Sequence, residues 1–173
     1  LGGDVLSADN SSVLVAWFAH LASSGTMGGG EAKEYKFLST ITISGTVSLL
    51  LPSLSTLRYM GSTDGFLITG TRHKMSFGTV TIDGDTSPAT RNIIKYRDLS
   101  RSVISFSRLG SNSGSAIYWD GPNSVLNSGD NIWTIVNGET GGSEYGLRLE
   151  DSATRALEGE EFNGESLYGI TTA

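Results

Sequence analysis

Short runs of alternating apolar and polar residues dominate the chain from residue 31 onward. Between residues 37 and 43, for example, Phe37, Ile41 and Ile43 fall on one side of an extended chain and Leu38 falls on the other. This period-two alternation indicates strands that bury one face. Ten strands are predicted, at 35–43, 46–51, 65–71, 74–82, 92–96, 102–107, 116–119, 131–136, 145–149 and 166–171.

Clusters of Gly, Asn, Asp and Ser separate these runs and are typical of tight turns. Asn137-Gly138 is the strongest hairpin candidate, and Asp83-Gly84-Asp85 is better explained as a turn than as a calcium loop. No pattern with a period of roughly 20–50 residues is apparent, so a solenoid or propeller is not expected. The sequence therefore predicts an all-β fold, a two-sheet β-sandwich of the jelly-roll type.

The N-terminal segment differs, because residues 13–22 are almost uniformly apolar and fit a helix or a strand equally well. Gly28-Gly29-Gly30 follows and is interpreted as a hinge, which divides the chain into an arm (1–30) and a β-sandwich domain (31–173). The arm either folds onto its own sheet or packs on a neighbouring subunit. Its candidate assembly residues are Val13, Val15, Trp17, Phe18 and Leu21. A short C-terminal helix is predicted at 153–158.

Composition excludes several classes of function. Only 17% of residues are charged, below the roughly 25% usual for soluble domains, and the absence of cysteine excludes disulfides, thiolate nucleophiles and Cys-ligated zinc. The net charge of −6 disfavours nucleic-acid binding. The longest apolar run is too short for a membrane-spanning helix, which requires roughly 20 residues.

Catalytic chemistry has few candidate residues. The chain has two histidines and no Gly-x-Ser-x-Gly motif; His20 is expected to be packed in the apolar segment and His73 to lie at the surface. No catalytic, cofactor-binding or metal-binding residues are assigned, and the chain is predicted not to be an enzyme.

Aromatic residues beside polar ones provide one binding-site candidate. Tyr118, Trp119, Asp120 and Trp133 could form a sugar-binding platform, in which rings stack on the sugar and the carboxylate accepts hydrogen bonds from its hydroxyls. Both tryptophans lie within predicted strands, however, and the alternative is that they belong to the core.

Residues 124–135 resemble the turn and strand found in trimeric jelly rolls of the tumour-necrosis-factor and complement type, and in archaeal pilin and archaellin sandwiches. The other hallmarks of these proteins are missing, so no family is assigned. The predicted function is a structural or attachment subunit of a virion, phage tail or surface filament, located in a virion or extracellularly. Its expected partners are further copies or neighbouring subunits, and the alternative is an extracellular carbohydrate-binding module.

Overall fold

The computed structural model describes residues 9–82, 91–110, 114–139, 145–150, 155–164 and 170–172. These residues form one α-helix, α1 (Ser11–Ser24), a 3-10 turn (Gly121–Asn123) and short strands. In chain order the strands are β1 (Met27–Gly29), β2 (Glu34–Phe37), β3 (Ile41–Ile43), β4 (Ser48–Leu50), β5 (Thr56–Tyr59), β6 (Phe66–Thr71), β7 (Lys74–Ile82), β8 (Ile94–Ser100), β9 (Val103–Gly110), β10 (Ser115–Asp120), β11 (Ser128–Gly129), β12 (Ile132–Glu139), β13 (Tyr145–Glu150), β14 (Leu157–Glu158), β15 (Glu161–Gly164) and β16 (Ile170–Thr172).

The strands form two parallel sheets that wind into a β-solenoid. Sheet A follows the order β1-β4-β7-β9-β12-β15, and β5 also pairs with β7 and carries β2 on its other side. Sheet B follows β14-β11-β8-β10-β13-β16, and β6 also pairs with β8 and carries β3 on its other side. Neighbouring strands are far apart along the chain, as in Met27 with Ser48 and Ile117 with Leu147. Because a hairpin cannot join parallel neighbours, each turn of the chain passes through both sheets before it returns to the first.

The predicted jelly-roll β-sandwich is therefore wrong, and so is the expectation that the chain holds no repeat. In sheet A, Lys74 pairs with Val103, Val103 with Ile132, and Ile132 with Glu161. These residues therefore lie one above another on successive strands, in what we call a column, and they recur at equal intervals along the chain. The outer face of each sheet is partly polar, so strands such as β2, β3 and β5 keep the alternation of a sandwich strand, although β10 is buried at every position. The same local alternation is thus typical of a β-sandwich and of a β-solenoid, and the two folds differ in which strands pair with one another.

The core lies between the two sheets and is built from columns of like side chains. Phe77 stacks on Phe106 with ring centroids 5.2 Å apart and an interplanar angle of 9°, and Trp133 stacks on Phe162 at 6.1 Å with the same angle. Register makes these contacts, because residues in one column of a parallel sheet sit directly above one another, about 4.8 Å apart.

Helix α1 covers one end of this core. Leu14, Phe18 and Leu21 are buried at helical spacing, and Phe18 meets Phe66 edge-on, with ring centroids 6.4 Å apart. The helix ends at Gly25, which has a left-handed backbone, as the sequence allows. The helical alternative for the apolar segment is thus the one adopted.

The predicted C-terminal helix is wrong. Leu157 and Glu158 form β14, which pairs with β11, and residues 151–154 lie outside the described part of the chain. The turn at Asp83-Gly84-Asp85 also lies outside it.

Candidate functional site

The outer face of sheet A carries a row of exposed apolar side chains. Met27 is 69% exposed, Leu50 58% and Val103 46%, and Ile132 and Val136 extend the row. In the strands that carry them, the residues that alternate with these, such as Leu49, face the core. An exposed apolar row on one face differs from apolar residues scattered singly over a surface, which makes this face a candidate contact surface.

Part of this face forms a shallow groove with a volume of about 400 Å³. Its apolar lining comes from Met27, Leu50 and Val103, and serines from three neighbouring strands complete it: Ser48, Ser76 and Ser105. The small serine side chains leave space between the larger ones, so the face is grooved rather than flat. We refer to this feature as the sheet A groove.

Lys74 is the charged residue of the sheet A groove. Register places it between Ser48 and Val103 in one column. Its side chain is exposed, and its ammonium group has no ion-pair partner among the described residues. The groove therefore combines an apolar lining with one uncompensated positive charge.

Gly28 explains how β1 reaches this position at the edge of the sheet. A Cβ atom at Gly28 would lie 2.4 Å from Leu21 Cδ1 and 2.9 Å from Trp17 Cζ2, so only glycine lets α1 pack this closely on β1. Gly28 and Gly29 pair with Leu49 and Leu50. Gly28, the first glycine of the predicted hinge, permits close packing of the helix on β1.

The outer face of sheet B carries a charged network centred on Asp120, which is fully buried. The Asp120 carboxylate lies 3.0 Å from Lys95 Nζ and 3.6 Å from Arg97, and it accepts a hydrogen bond of 2.7 Å from Asn123 Nδ2. Lys95 also lies 3.5 Å from a carboxylate oxygen of Asp64. A buried carboxylate is tolerated here because cations and hydrogen bonds surround it.

Tyr118 belongs to the same network. Its hydroxyl donates to Glu150, and its ring lies between Lys95 Nζ, 5.5 Å from the centroid, and the Arg148 guanidinium, at 5.3 Å. Burial, followed by the hydrogen bond to Glu150, raises the pKa of Tyr118 well above its usual value. The acidic side chains of this network are paired with basic side chains. The pairing favours a structural role for the network, in which it joins successive turns of the solenoid.

A second polar column runs through a buried corner, at the residue before each of the strands β7, β9, β12 and β15. His73 Nδ1 accepts from the Val47 amide, Ser102 Oγ accepts from the His73 amide, and Asn131 Oδ1 accepts from the Ser102 amide. Asn131 Nδ2 then donates to Glu160, the next residue of the column. Each side chain thus satisfies a backbone group or side chain of the adjacent turn.

The ends of this corner column have shifted pKa values. Burial raises the pKa of Glu160 to about 7, although hydrogen bonds from Asn131 and Trp133 oppose the shift. Burial lowers the pKa of His73, and His73 Nε2 lies 2.9 Å from the Thr69 carbonyl oxygen. The expected positions of the two histidines are therefore reversed: His73 is buried and His20 is exposed.

The predicted sugar-binding residues are only partly brought together. Tyr118 and Asp120 share the outer face of β10, with the hydroxyl 3.5 Å from Asp120 Oδ1. Trp119 points to the opposite face and is buried, whereas Trp133 lies in the core of sheet A, where its Nε1 donates to Glu160 at 2.8 Å. Neither tryptophan ring is presented to solvent for stacking.

The predicted assembly residues lie on α1. Phe18 and Leu21 are buried against the core of the same chain, Trp17 and Val13 are half-buried, and Val15 is exposed. The helix thus packs in cis, which was one of the two arrangements considered.

The residues of the sheet A groove were missed, because each is an isolated apolar or polar position in its own strand. A recurring spacing was the signal that could have found them: RHKMSF at 72–77, RSVISF at 101–106 and DNIWTI at 130–135 align without gaps at equal intervals. In this alignment Lys74, Val103 and Ile132 occupy the same position, and these are the residues that lie above one another in sheet A.

No group of three or more His, Cys, Asp or Glu side chains is positioned to hold a metal ion within the described ranges. In the same part of the chain, no helix has the length and apolar character needed to cross a bilayer. Comparison with protein-family models, with curated protein sequences and with solved structures gave no match to this chain.

Proposed function

We propose that this chain is a non-enzymatic attachment domain, in which a rigid β-solenoid presents the outer face of sheet A as its contact surface. The sheet A groove carries this proposal. It places exposed apolar side chains around a concavity of about 400 Å³, within the range of roughly 300–1,000 Å³ typical of ligand sites.

The pairing of charged groups elsewhere supports a non-enzymatic role. A general acid or base must reach its substrate, but Asp120 is fully buried and Tyr118 nearly so. The half-exposed charges around them form ion pairs, as between Arg148 and Glu150 at 3.4 Å. This network therefore supports the fold rather than a reaction.

Binding of the neutral apolar dye Nile red to the intact chain tests the proposal. We expect the dye fluorescence to rise on binding and the rise to be lost in Leu50→Ser, which removes an apolar wall of the groove. Leu54→Ser is the matched control, because Leu54 is 79% exposed but does not line the groove. Equal dye binding by wild type and Leu50→Ser would contradict the proposal.

Self-association through the same face is a second candidate function, favoured by the continuation of the apolar row beyond the groove to Ile132 and Val136. Six strands span about 24 Å across the sheet, and the nine-residue β7 spans about 30 Å along it. The face therefore covers roughly 700 Å² at most, below the roughly 800 Å² per partner of a stable interface. Weak association is expected. Sedimentation velocity should show a concentration-dependent mass that Ile132→Lys abolishes and Leu54→Lys does not; a monomer at all concentrations would contradict it.

The carbohydrate-binding alternative and the extracellular location remain predictions. Tyr118 and Asp120 share one face, but the tryptophan rings are buried, so the sheet A groove is the better-supported site. A glycan array would test the alternative, with loss of binding in Tyr118→Phe as the check. A virion or phage role draws no support from the fold or the comparisons and is not proposed.

A further inference from the structure

Lys74 gives the sheet A groove a chemical preference. It lies on the third strand of the sheet A stack, with Leu50 and Met27 on the two strands before it and Val103 on the strand after it. The nearest acid in its column is Glu161, three strands away, or about 14 Å. The ammonium group therefore adjoins an apolar surface without a nearby carboxylate on the same column.

The dimensions of the groove limit what it can hold. From Lys74 to Met27 the face spans two strand spacings, about 10 Å, which is the length of a short alkyl chain rather than of a protein interface. The half-buried serines along the groove offer hydroxyl groups to a polar head.

We infer that the sheet A groove binds a small amphipathic anion, an alkyl chain that ends in a carboxylate or sulfate. The head group pairs with Lys74, and the chain covers Leu50 and Met27. Charge complementarity selects this ligand, because an uncharged chain gains only the apolar contact and a cationic head is repelled. The inference rests on the proposed function and specifies the ligand of the same site.

Nuclear magnetic resonance titration of the 173-residue chain with octanoate tests the inference, with 1-octanol as the uncharged counterpart. We expect both to shift the amide signals of Leu50, Ser76 and Ser105, with octanoate binding more tightly. An exposed ion pair contributes about 0.2–1 kcal/mol, so Lys74→Gln should weaken octanoate binding by roughly 1.4- to 5-fold and leave octanol binding unchanged.

Lys36→Gln is the control, because Lys36 is a half-buried lysine on β2 that lies outside the groove and is paired with Glu34 at 3.9 Å. Equal affinity for octanoate and octanol, with no effect of Lys74→Gln, would overturn the inference but leave the apolar groove intact. A loss of affinity in Lys36→Gln as large as in Lys74→Gln would also overturn it, since it would indicate a non-specific charge effect. If neither compound shifts these amides and Nile red does not bind, the proposed function fails as well.

Discussion

Four residues adopt a left-handed backbone at one corner of the solenoid, one in each of four successive turns of the chain. Arg72, Arg101, Asp130 and Gly159 have φ values of 58°, 53°, 56° and 64°. The amides of the first three donate to carbonyl oxygens of the next turn, as Arg101 N does to Gly129. The corner turns the chain from sheet B into sheet A, and only the last of the four is the residue type that tolerates this conformation without steric cost.

Replacing Arg101 with glycine should therefore not destabilise the protein. Relief of the left-handed strain is worth about 1–2 kcal/mol and the added flexibility of the unfolded chain costs about 0.4–1 kcal/mol, so the free energy of unfolding should rise by about 0–1.6 kcal/mol. Urea denaturation measures it. Ser100→Gly, one residue earlier in an extended strand, should instead lower it by about 0.5–1 kcal/mol; equal losses in both variants would contradict the corner explanation.

Glu160 makes stability depend on pH. Its pKa is raised from 4.5 to about 7 by burial, so between these values the folded protein holds a proton that the unfolded chain has released. The free energy of unfolding contributed by this group should fall as pH rises from about 4.5 to 7 and stay constant above. His73 acts in the opposite sense, because its pKa is lowered by burial and stability is lost as pH falls below 6.5.

Thermal unfolding of wild type and Glu160→Gln across this pH range separates the two groups. Both proteins contain His73, so the difference between their melting temperatures at each pH reports Glu160 alone. The excess in melting temperature of the wild type over Glu160→Gln should shrink as pH rises from 4.5 to about 7. A constant difference across the range would show that Glu160 is not protonated in the folded protein.

At the scale of elements, α1 is joined to the solenoid at both ends. At its start, Asn10 N donates to the Lys36 carbonyl, and Ser11 Oγ accepts from the Leu38 and Ser39 amides. At its end, the close approach of Leu21 to Gly28 seats the helix on β1. Because α1 covers apolar residues at the end of the core, its contribution is to stability.

Phe18→Ala should lower the free energy of unfolding by about 3–5 kcal/mol, because it opens a cavity against Phe66. Val15→Ala, on the exposed side of the same helix, should change it by less than about 0.5 kcal/mol. Chemical denaturation gives both values. A Phe18→Ala protein of unchanged stability but altered oligomer mass would instead indicate that the helix packs on a neighbouring subunit.

At the scale of the whole molecule, parallel register between successive turns defines the solenoid. Ser76 and Ser105 are far apart in sequence, yet they are direct partners on adjacent strands. Ser105 in turn pairs with Thr134. A sandwich built from hairpins would not bring these positions into one column.

Cysteines at neighbouring positions of this column should form a disulfide. The native chain has no cysteine, so in Ser76→Cys/Ser105→Cys the two thiols, on α-carbons about 4.8 Å apart, should cross-link on mild oxidation. Ser76→Cys/Thr134→Cys places the α-carbons about 10 Å apart and should stay reduced. Thiol titration under denaturing conditions measures both, and the reverse result would contradict the register.

The sequence by itself determined where many of the strands and the helix form, because burial of alternate residues is a local requirement. The prediction of a strand at 74–82 matches β7 (Lys74–Ile82), and Gly25 ends α1 as expected. Local pattern also failed in places: β5 (Thr56–Tyr59) was not predicted, since Pro52 and serines obscure its short alternation. For Trp119 and Trp133, a position in the core was the alternative to sugar binding, because both residues lie within predicted strands.

Only the tertiary structure decided which strands pair and which side chains share a surface. Parallel partners lie a full turn away, and the free energy of that pairing resides in contacts between turns, such as Phe77 on Phe106, that no single segment contains. The same holds for the sheet A groove, whose members come from four strands. Individually, Met27, Leu50 and Val103 are ordinary surface positions. The parallel register brings them onto one face of neighbouring strands, which lie about 4.8 Å apart, beside Lys74.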